Sequence, residues 1–160
     1  MAGGEQRLVR AMVASDAERV AELCGQLGYP SSAVEVRARF DVLCGRPDEG
    51  MFVAADGAAG IDAVIGWVHV RPSLTLESDP CAEIAGLVVD AAARSAGVGQ
   101  ALVAAAERWA VEHGYGEIRV RSNVVRERAH AFYRRLGYEV VKAQVNFRKT
   151  LDQREVDSRQ

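Results

Sequence analysis

Apolar positions recur along this chain with two different periods, and the switches between them lay out its elements. Residues 7–13 read as a first short strand. Ser15-Asp16-Ala17-Glu18 has the form of a capping box, and Val20, Leu23, Cys24 and Leu27 keep one face of the helix expected after it. Gly28-Tyr29-Pro30 breaks that helix. Ser31 or Ser32 then opens a second one, with Val36, Phe40 and Leu43 on its apolar stripe. Met51–Ala55 and Ala63–Val70 read as two strands of a hairpin closed through Gly57–Gly60. Residues 72–80 form a polar loop before a fourth strand at Ala82–Val89. Val98, Leu102, Ala105, Ala106 and Trp109 share the inner face of a long helix that Gly114 stops. Glu117–Arg121 alternates charged and apolar residues as a half-exposed strand does. Ala129, Phe132, Tyr133 and Leu136 stripe a further helix ended by Gly137, and a last strand is expected over Tyr138–Leu151.

These elements predict a mixed α/β layer architecture of about six or seven strands and about four helices. At 160 residues the chain is expected to be one domain, 1–160, with polar, mobile ends at 1–6 and 152–160. It contains no internal repeats. A hydrophobic fraction of 49% and a charged fraction of 26% exclude disordered and fibrous classes. A net charge of −2 argues against nucleic-acid binding through phosphate contacts. No apolar run approaches the roughly 18 residues of a membrane span, and the start has neither a basic segment nor an apolar core. No membrane association and a cytoplasmic location are therefore expected. The 3 cysteines, Cys24, Cys44 and Cys81, have no Cys-x-x-Cys spacing, so neither a disulfide framework nor a metal site is expected. Cys24 and Cys44 fall on helical apolar positions and are expected to be buried. Cys81 could face a substrate, but no His or Asp is placed to activate it.

Chemistry concentrates where the fourth strand meets the long helix. Val89-Asp-Ala-Ala-Ala-Arg-Ser-Ala-Gly-Val-Gly-Gln100 joins strand to helix through glycines at 97 and 99. Free N–H groups of a first helical turn, with the helix dipole behind them, suit a phosphate, and glycine lets it approach the backbone. The spacing is neither Gly-x-Gly-x-x-Gly nor the Walker loop. Arg94 to Gly99 resembles instead the Arg/Gln-x-x-Gly-x-Gly/Ala signature of the GNAT superfamily of N-acetyltransferases. Ala129-His-Ala-Phe-Tyr-Arg-Arg-Leu-Gly-Tyr138 resembles that family's downstream Ala-x-x-Phe-Tyr-x-x-x-Gly-Phe/Tyr block. The likeness runs from about Leu8 to Leu151.

That resemblance implies a mostly antiparallel sheet whose fourth and fifth strands, 82–89 and 117–122, splay apart around the pantetheine arm of acetyl-CoA. The main chain of Leu87, Val88 and Val89 would hold pantetheine. Arg94, Ser95, Ala96, Gly97, Val98, Gly99 and Gln100 would hold the pyrophosphate, with Ser95 and Ala96 replacing the usual Gly and Arg/Lys. The Asn123 amide would reach a pantetheine carbonyl, although the family's usual asparagine position is Arg126 here. Arg126, Arg128, Arg134 and Arg135 would contact the 3′-phosphate or simply solvate their helix. Tyr133 would touch the cofactor and protonate the departing thiolate. The family's acidic base position is Ala85 in this chain. Glu83, two residues earlier and roughly 6–7 Å along the strand, would act through a water or would form a salt bridge. His69 is the alternative base or a structural histidine. His113 fits dipole compensation at a helix end, and His130 is expected to be exposed.

The implied activity is acetyl-CoA-dependent transfer of an acetyl group to a primary amine of a small molecule, directly within a ternary complex and without a metal. Another acyl-CoA donor, a protein amine acceptor and a non-catalytic acyl-CoA-binding regulatory module stand as alternatives. Tyr133 favours the enzyme, and Ala85 keeps the binding module in play. The acceptor would lie around Gly28-Tyr29-Pro30 and Leu74–Asp79. There Glu77 and Asp79, with Asp48 and Glu49, suggest an acidic mouth for a cationic amine: an aminoglycoside, a polyamine, an amino acid or a protein N-terminus. The family also admits a homodimer.

Overall fold

The computed structural model describes residues 7–57, 63–94, 96–122 and 124–152. Residues 1–6 and 153–160, positions 58–60 of the expected hairpin turn, and Ser95 and Asn123 lie outside the described residues. Two compact units divide the chain, Met1–Arg121 and Ser122–Gln160.

The first unit is built on strands β1 (Arg7–Ala11), β2 (Gly50–Asp56), β3 (Ala63–Ser73), β4 (Cys81–Val89) and β5 (Ile118–Val120). They form one sheet in the order β1-β2-β3-β4-β5, antiparallel except for the parallel β4–β5 pair. The expected mixed, mostly antiparallel sheet is therefore present, with five strands among the described residues rather than six or seven. Helices α1 (Ala17–Gln26) and α2 (Ala33–Cys44) belong to one side of it and α3 (Val98–Glu112) to the other.

The start of α1 differs from the capping box read at Ser15. Residues Ala14–Asp16 make a single 3₁₀ turn. Asp16, 7% exposed, turns back to accept the Val13 N–H at 2.9 Å and two guanidinium nitrogens of Arg10 at 2.8 and 2.9 Å. A charge-assisted bidentate pair outcompetes a serine hydroxyl for that corner. The α1 face then buries Ala17, Val20, Ala21 and Leu23 in one cluster with Val53, Val64 and Val88 of the sheet. In α2, Ser32 is the cap: its Oγ accepts the Glu35 N–H at 3.2 Å, and Glu35 Oε2 accepts the Ser32 N–H at 2.8 Å. That helix packs chiefly against α1. Of its stripe only Val36 is buried, while Phe40 and Leu43 are half-buried. Cys24 is half-buried and Cys44 exposed, against the expectation that both are buried. Helical spacing tells which way a residue points, and among the described residues α2 is covered chiefly by α1, which leaves part of the face it defines open.

On the opposite side, α3 buries Val98, Leu102, Ala105, Ala106 and Trp109 as expected. Glycines permit this contact. A Cβ at Gly50 would come within 2.8 Å of Trp109, and one at Gly66 within 2.9 Å of Leu102. Trp109 stacks on His113 at 4.1 Å between centroids, and His113 Nδ1 lies 2.7 Å from Trp109 O, so this histidine is structural.

The second unit carries α4 (Glu127–Arg135), closed by Gly137 at φ +90°. Tyr133 meets Phe132 and Tyr138 edge to face at 5.1 and 5.5 Å. His130 is half-buried rather than exposed. The strand expected over Tyr138–Leu151 does not form. An apolar-rich segment becomes a strand only when another chain segment takes its N–H and C=O groups, and here Val140, Val141, Val145 and Phe147 stay exposed.

Candidate functional site

Strand β4 has a different neighbour along each edge, and the two ladders do not end together. On one edge it pairs with β3 from Ser73↔Cys81 to Gly66↔Val89. Between His69↔Gly86 and Val70↔Ile84 the register shifts, leaving Ala85 as an extra residue in a β-bulge. On the other edge, pairing with β5 runs only from Ala82↔Ile118 to Ile84↔Val120. The β5 ladder thus stops at the bulge, and residues 86–89 continue with that edge unpaired among the described strands. Leu87, Val88 and Val89 lie on this open edge. Val88 is buried and the other two half-buried.

The bulge also resets the faces of β4, so Ala85 and Glu83 are not spaced as on a regular strand. Glu83 is buried, with Oε1 3.3 Å from Arg71 Nη2 and Oε2 3.6 Å from Arg121 Nη2. Of its two readings, the structure shows the salt-bridging one. Cys81, at the strand's start, is buried at 3% exposure.

Across from Gly86 the face is aromatic and ionisable. The Trp67 ring lies so close to β4 that a Cβ at Gly86 would sit 2.6 Å from it, and the buried Trp67 Nε1 has no partner among the described residues. His69, two residues along β3, shares the Trp67 face, which belongs to the α1 cluster. Its Nε2 is 2.5 Å from Glu49 Oε2. The Glu49 side chain is only 7% exposed, with Arg46 Nη1 3.7 Å from its other oxygen. Glu49 is therefore committed to His69 and not to an acidic mouth, whereas Asp48, Glu77 and Asp79 are exposed. Tyr29, Leu74 and Leu76 are exposed as well.

Beyond Val89 the chain is held before it enters α3. Asp90 Oδ1 accepts the Ala92 N–H at 3.0 Å, and Gln26 Oε1 of α1 accepts the Ala91 N–H at 2.9 Å. Arg19 of α1 pairs with Asp90 Oδ2 and donates to Val64 O at 2.9 Å. The Ala92 amide holds the Asp90 carboxyl below its ordinary range, outweighing desolvation, and Arg19 and Gln26 add to the effect. Arg19, Gln26 and Asp90 were missed in the sequence. The only local signal was Asp90 as a cap for the 3₁₀ turn at Ala91–Ala93.

Gly97 then caps α3 at φ +81°, in the left-handed region, and itself brings no side chain to the helix start. The Ala101 N–H donates to Gly97 O at 3.1 Å as the helix begins. Amides of Val98, Gly99 and Gln100 precede that bond, and the first turn carries no acidic residue. Val98 is 2% exposed and anchors the helix, so it can offer a ligand only its backbone. Arg94 and Gln100 are exposed, and Ala96 and Gly99 half-buried.

In the second unit, burial pushes the Tyr133 hydroxyl up to about 12, with Arg126 pulling weakly downward. The group is protonated at neutral pH and can give a proton. Arg126, Arg128, Arg134 and Arg135 are exposed.

The acetyltransferase (GNAT) family model matches residues 16–138. The chain belongs to this family. It is an N-acetyltransferase. An aminoglycoside N(6′)-acetyltransferase type 1 from Stenotrophomonas maltophilia is 36% identical over 106 residues, 65% of this chain and 69% of that protein. The aminoglycoside N-acetyltransferase AAC(6′)-Iy, solved with CoA, superposes with a TM-score of 0.81 at 20% identity over 94% of this chain and 99% of its own. A Bacillus halodurans C-125 protein described as a transcriptional regulator gives a TM-score of 0.78 at 23% identity, over 90% of this chain and 100% of its own. These structural likenesses establish the GNAT fold. Among the described residues, no cluster of His, Cys, Asp and Glu is suited to a metal, and no helix is long and apolar enough to cross a membrane.

Proposed function

We propose that this N-acetyltransferase uses acetyl-CoA and moves the acetyl group to a primary amine of a small molecule, by direct transfer in a ternary complex. One observation carries the reading: the β4 edge, unpaired among the described strands, runs through a clamped loop into the glycine-led start of α3. An extended pantetheine arm can add to such an edge as a strand does, using the main chain of Leu87, Val88 and Val89. The pyrophosphate then meets the amides of Gly97 to Gln100, with Arg94 as the exposed cation beside them and Ser95 and Ala96 in the same loop. Gly97 fits that role physically, because a Cβ there would meet nothing within 4 Å and the backbone is open to approach.

Backbone N–H groups on the open edge polarise the thioester carbonyl and stabilise the oxyanion as the amine attacks. Tyr133 protonates the leaving sulfur, a role supported by its resemblance to the family tyrosine and by its protonated state at neutral pH. Asn123 and the arginines of α4 are secondary contacts to CoA on the same resemblance. An aminoglycoside 6′-amine is the first acceptor class to test, given the Stenotrophomonas relative.

Thiol release from acetyl-CoA, followed against aminoglycosides, polyamines and amino acids, decides between an enzyme and a binding module. Turnover with a small amine, fastest among aminoglycosides, is expected. Tight acetyl-CoA binding with no turnover on any amine would show a binding module instead.

A further inference from the structure

Removing a proton from the acceptor ammonium needs a base, and neither residue of β4 nearest the bulge offers a free one. Ala85 has no titratable group, and Glu83 would have to give up its pairing with Arg71 and Arg121 to take a proton. We propose that His69 of β3 is the general base and that Glu49 is its positioning residue, a reading that rests on the function proposed above.

Three observations carry it. His69 stands directly opposite Gly86, where β4 leaves β5 and the open edge begins. A pantetheine arm running back from the start of α3 along Leu87–Val89, as proposed above, points its thioester end toward this position. The face is the second observation. Gly50 and Gly66 direct the other side of the sheet against α3, which fills it, so an acceptor approaches from the side shared by Trp67, His69 and Glu49. Third, Glu49 is a buried carboxylate 2.5 Å from His69 Nε2, in a carboxylate–imidazole arrangement that fixes a tautomer. Accepting the Nε2–H leaves the lone pair on Nδ1. Arg46, 3.7 Å from Glu49, is the cation beside the pair. Arg71 stands two residues along β3, and Glu83 lies across from Arg71 on β4.

The step balances without a further reagent. Nδ1 takes one proton from R–NH₃⁺, and the freed nitrogen lone pair attacks the thioester carbon. The C–N bond forms and the C–S bond breaks. One of the two remaining N–H protons stays on the amide, while the other balances the one taken up by the leaving sulfur. His69 returns its proton to water, so one H⁺ is released per turnover.

The test compares wild type, His69→Gln, Glu49→Gln and Glu83→Gln, with acetyl-CoA and the fastest amine of the panel, neamine first. kcat/KM is followed from neutral to alkaline pH, and acetyl-CoA affinity is measured by calorimetry. His69→Gln should lower kcat/KM about 10²-fold at pH 7, the range for loss of a general base. The deficit should shrink as pH rises toward the amine's own pKa, because more acceptor arrives deprotonated. Glu49→Gln should give a smaller loss, about tenfold, with the same rescue. Acetyl-CoA affinity should not change in either. A His69→Gln enzyme with wild-type activity at pH 7, or with a loss that pH does not relieve, overturns the proposal. So does a pH-rescued defect that follows Glu83→Gln instead. Should His69→Gln not fold, Glu49→Gln replaces it: a pH-rescued loss supports the pair, and wild-type activity or an unrelieved loss overturns it. A wild type that releases no thiol with any amine removes the function and the base together, whereas an active wild type matched by His69→Gln removes the base alone.

Discussion

A phenol held at about 12 is an acid over the whole range in which the enzyme can be assayed. Burial disfavours the phenolate, so Tyr133 keeps its proton throughout that range. Tyr133→Phe should lower kcat about 10²-fold while acetyl-CoA affinity, read by calorimetry, stays within about twofold. Near wild-type turnover would reduce Tyr133 to a packing partner of Phe132 and Tyr138. The block that carries this tyrosine was legible in the sequence because it is contiguous. The His69–Glu49 contact was not, since nothing in a chain read residue by residue joins positions 20 apart. Asp16 shows a middle case. The corner before α1 was found, but its capping group was assigned to Ser15, because Arg10, the partner that decides the matter, belongs to β1.

Strand β4 runs through one loop into α3, and α1 holds that loop in place. Arg19 reaches Asp90 and Val64 O, and Gln26 reaches the Ala91 amide. Arg19→Ala should raise the acetyl-CoA Kd about tenfold with a smaller effect on kcat, and Arg19→Lys should recover part of the loss by keeping the charge. An unchanged Kd in Arg19→Ala would show that the loop holds itself. Gly97→Val should also weaken acetyl-CoA binding strongly in a protein that still folds. A β-branched residue in the left-handed region costs about 1–2 kcal/mol, and the loop relieves that strain by moving its amides. The glycine loop could be read from sequence because strand, turn and helix start are adjacent. The Ala85 bulge could not, because the apolar run Leu87-Val88-Val89 has no alternation in which an extra residue would show. The clamp is hidden for another reason: its partners lie 65 and 71 positions apart.

Two carboxylates tie α1 to the sheet unit, and both titrate below their ordinary value. For Asp16, burial by itself would raise the pKa, but hydrogen bonds from Arg10 and the Val13 amide outweigh it. For Asp90 the Ala92 amide leads, opposed by desolvation and helped by Arg19. A folded pKa depressed from 3.8 means that each contributes stability above that value and loses it as pH falls through the lower, folded one. The unfolding midpoint should therefore stay level through the neutral range and drop below about pH 4, with acetyl-CoA affinity dropping alongside as α1 loosens its hold on the loop. Asp16→Asn should cost about 2 kcal/mol in urea at pH 7, the scale of a buried charge-assisted bond, and should make the remaining acid decline shallower. The sequence pattern that predicted six or seven strands contains nothing of this. Segment 138–152 has the residues of a strand without a ladder, whereas the attachment of α1 depends on ion pairs that no periodicity encodes. An Asp16→Asn, Asp90→Asn double variant whose midpoint falls between pH 5 and pH 3 as steeply as the wild type would show that acid acts through other carboxylates.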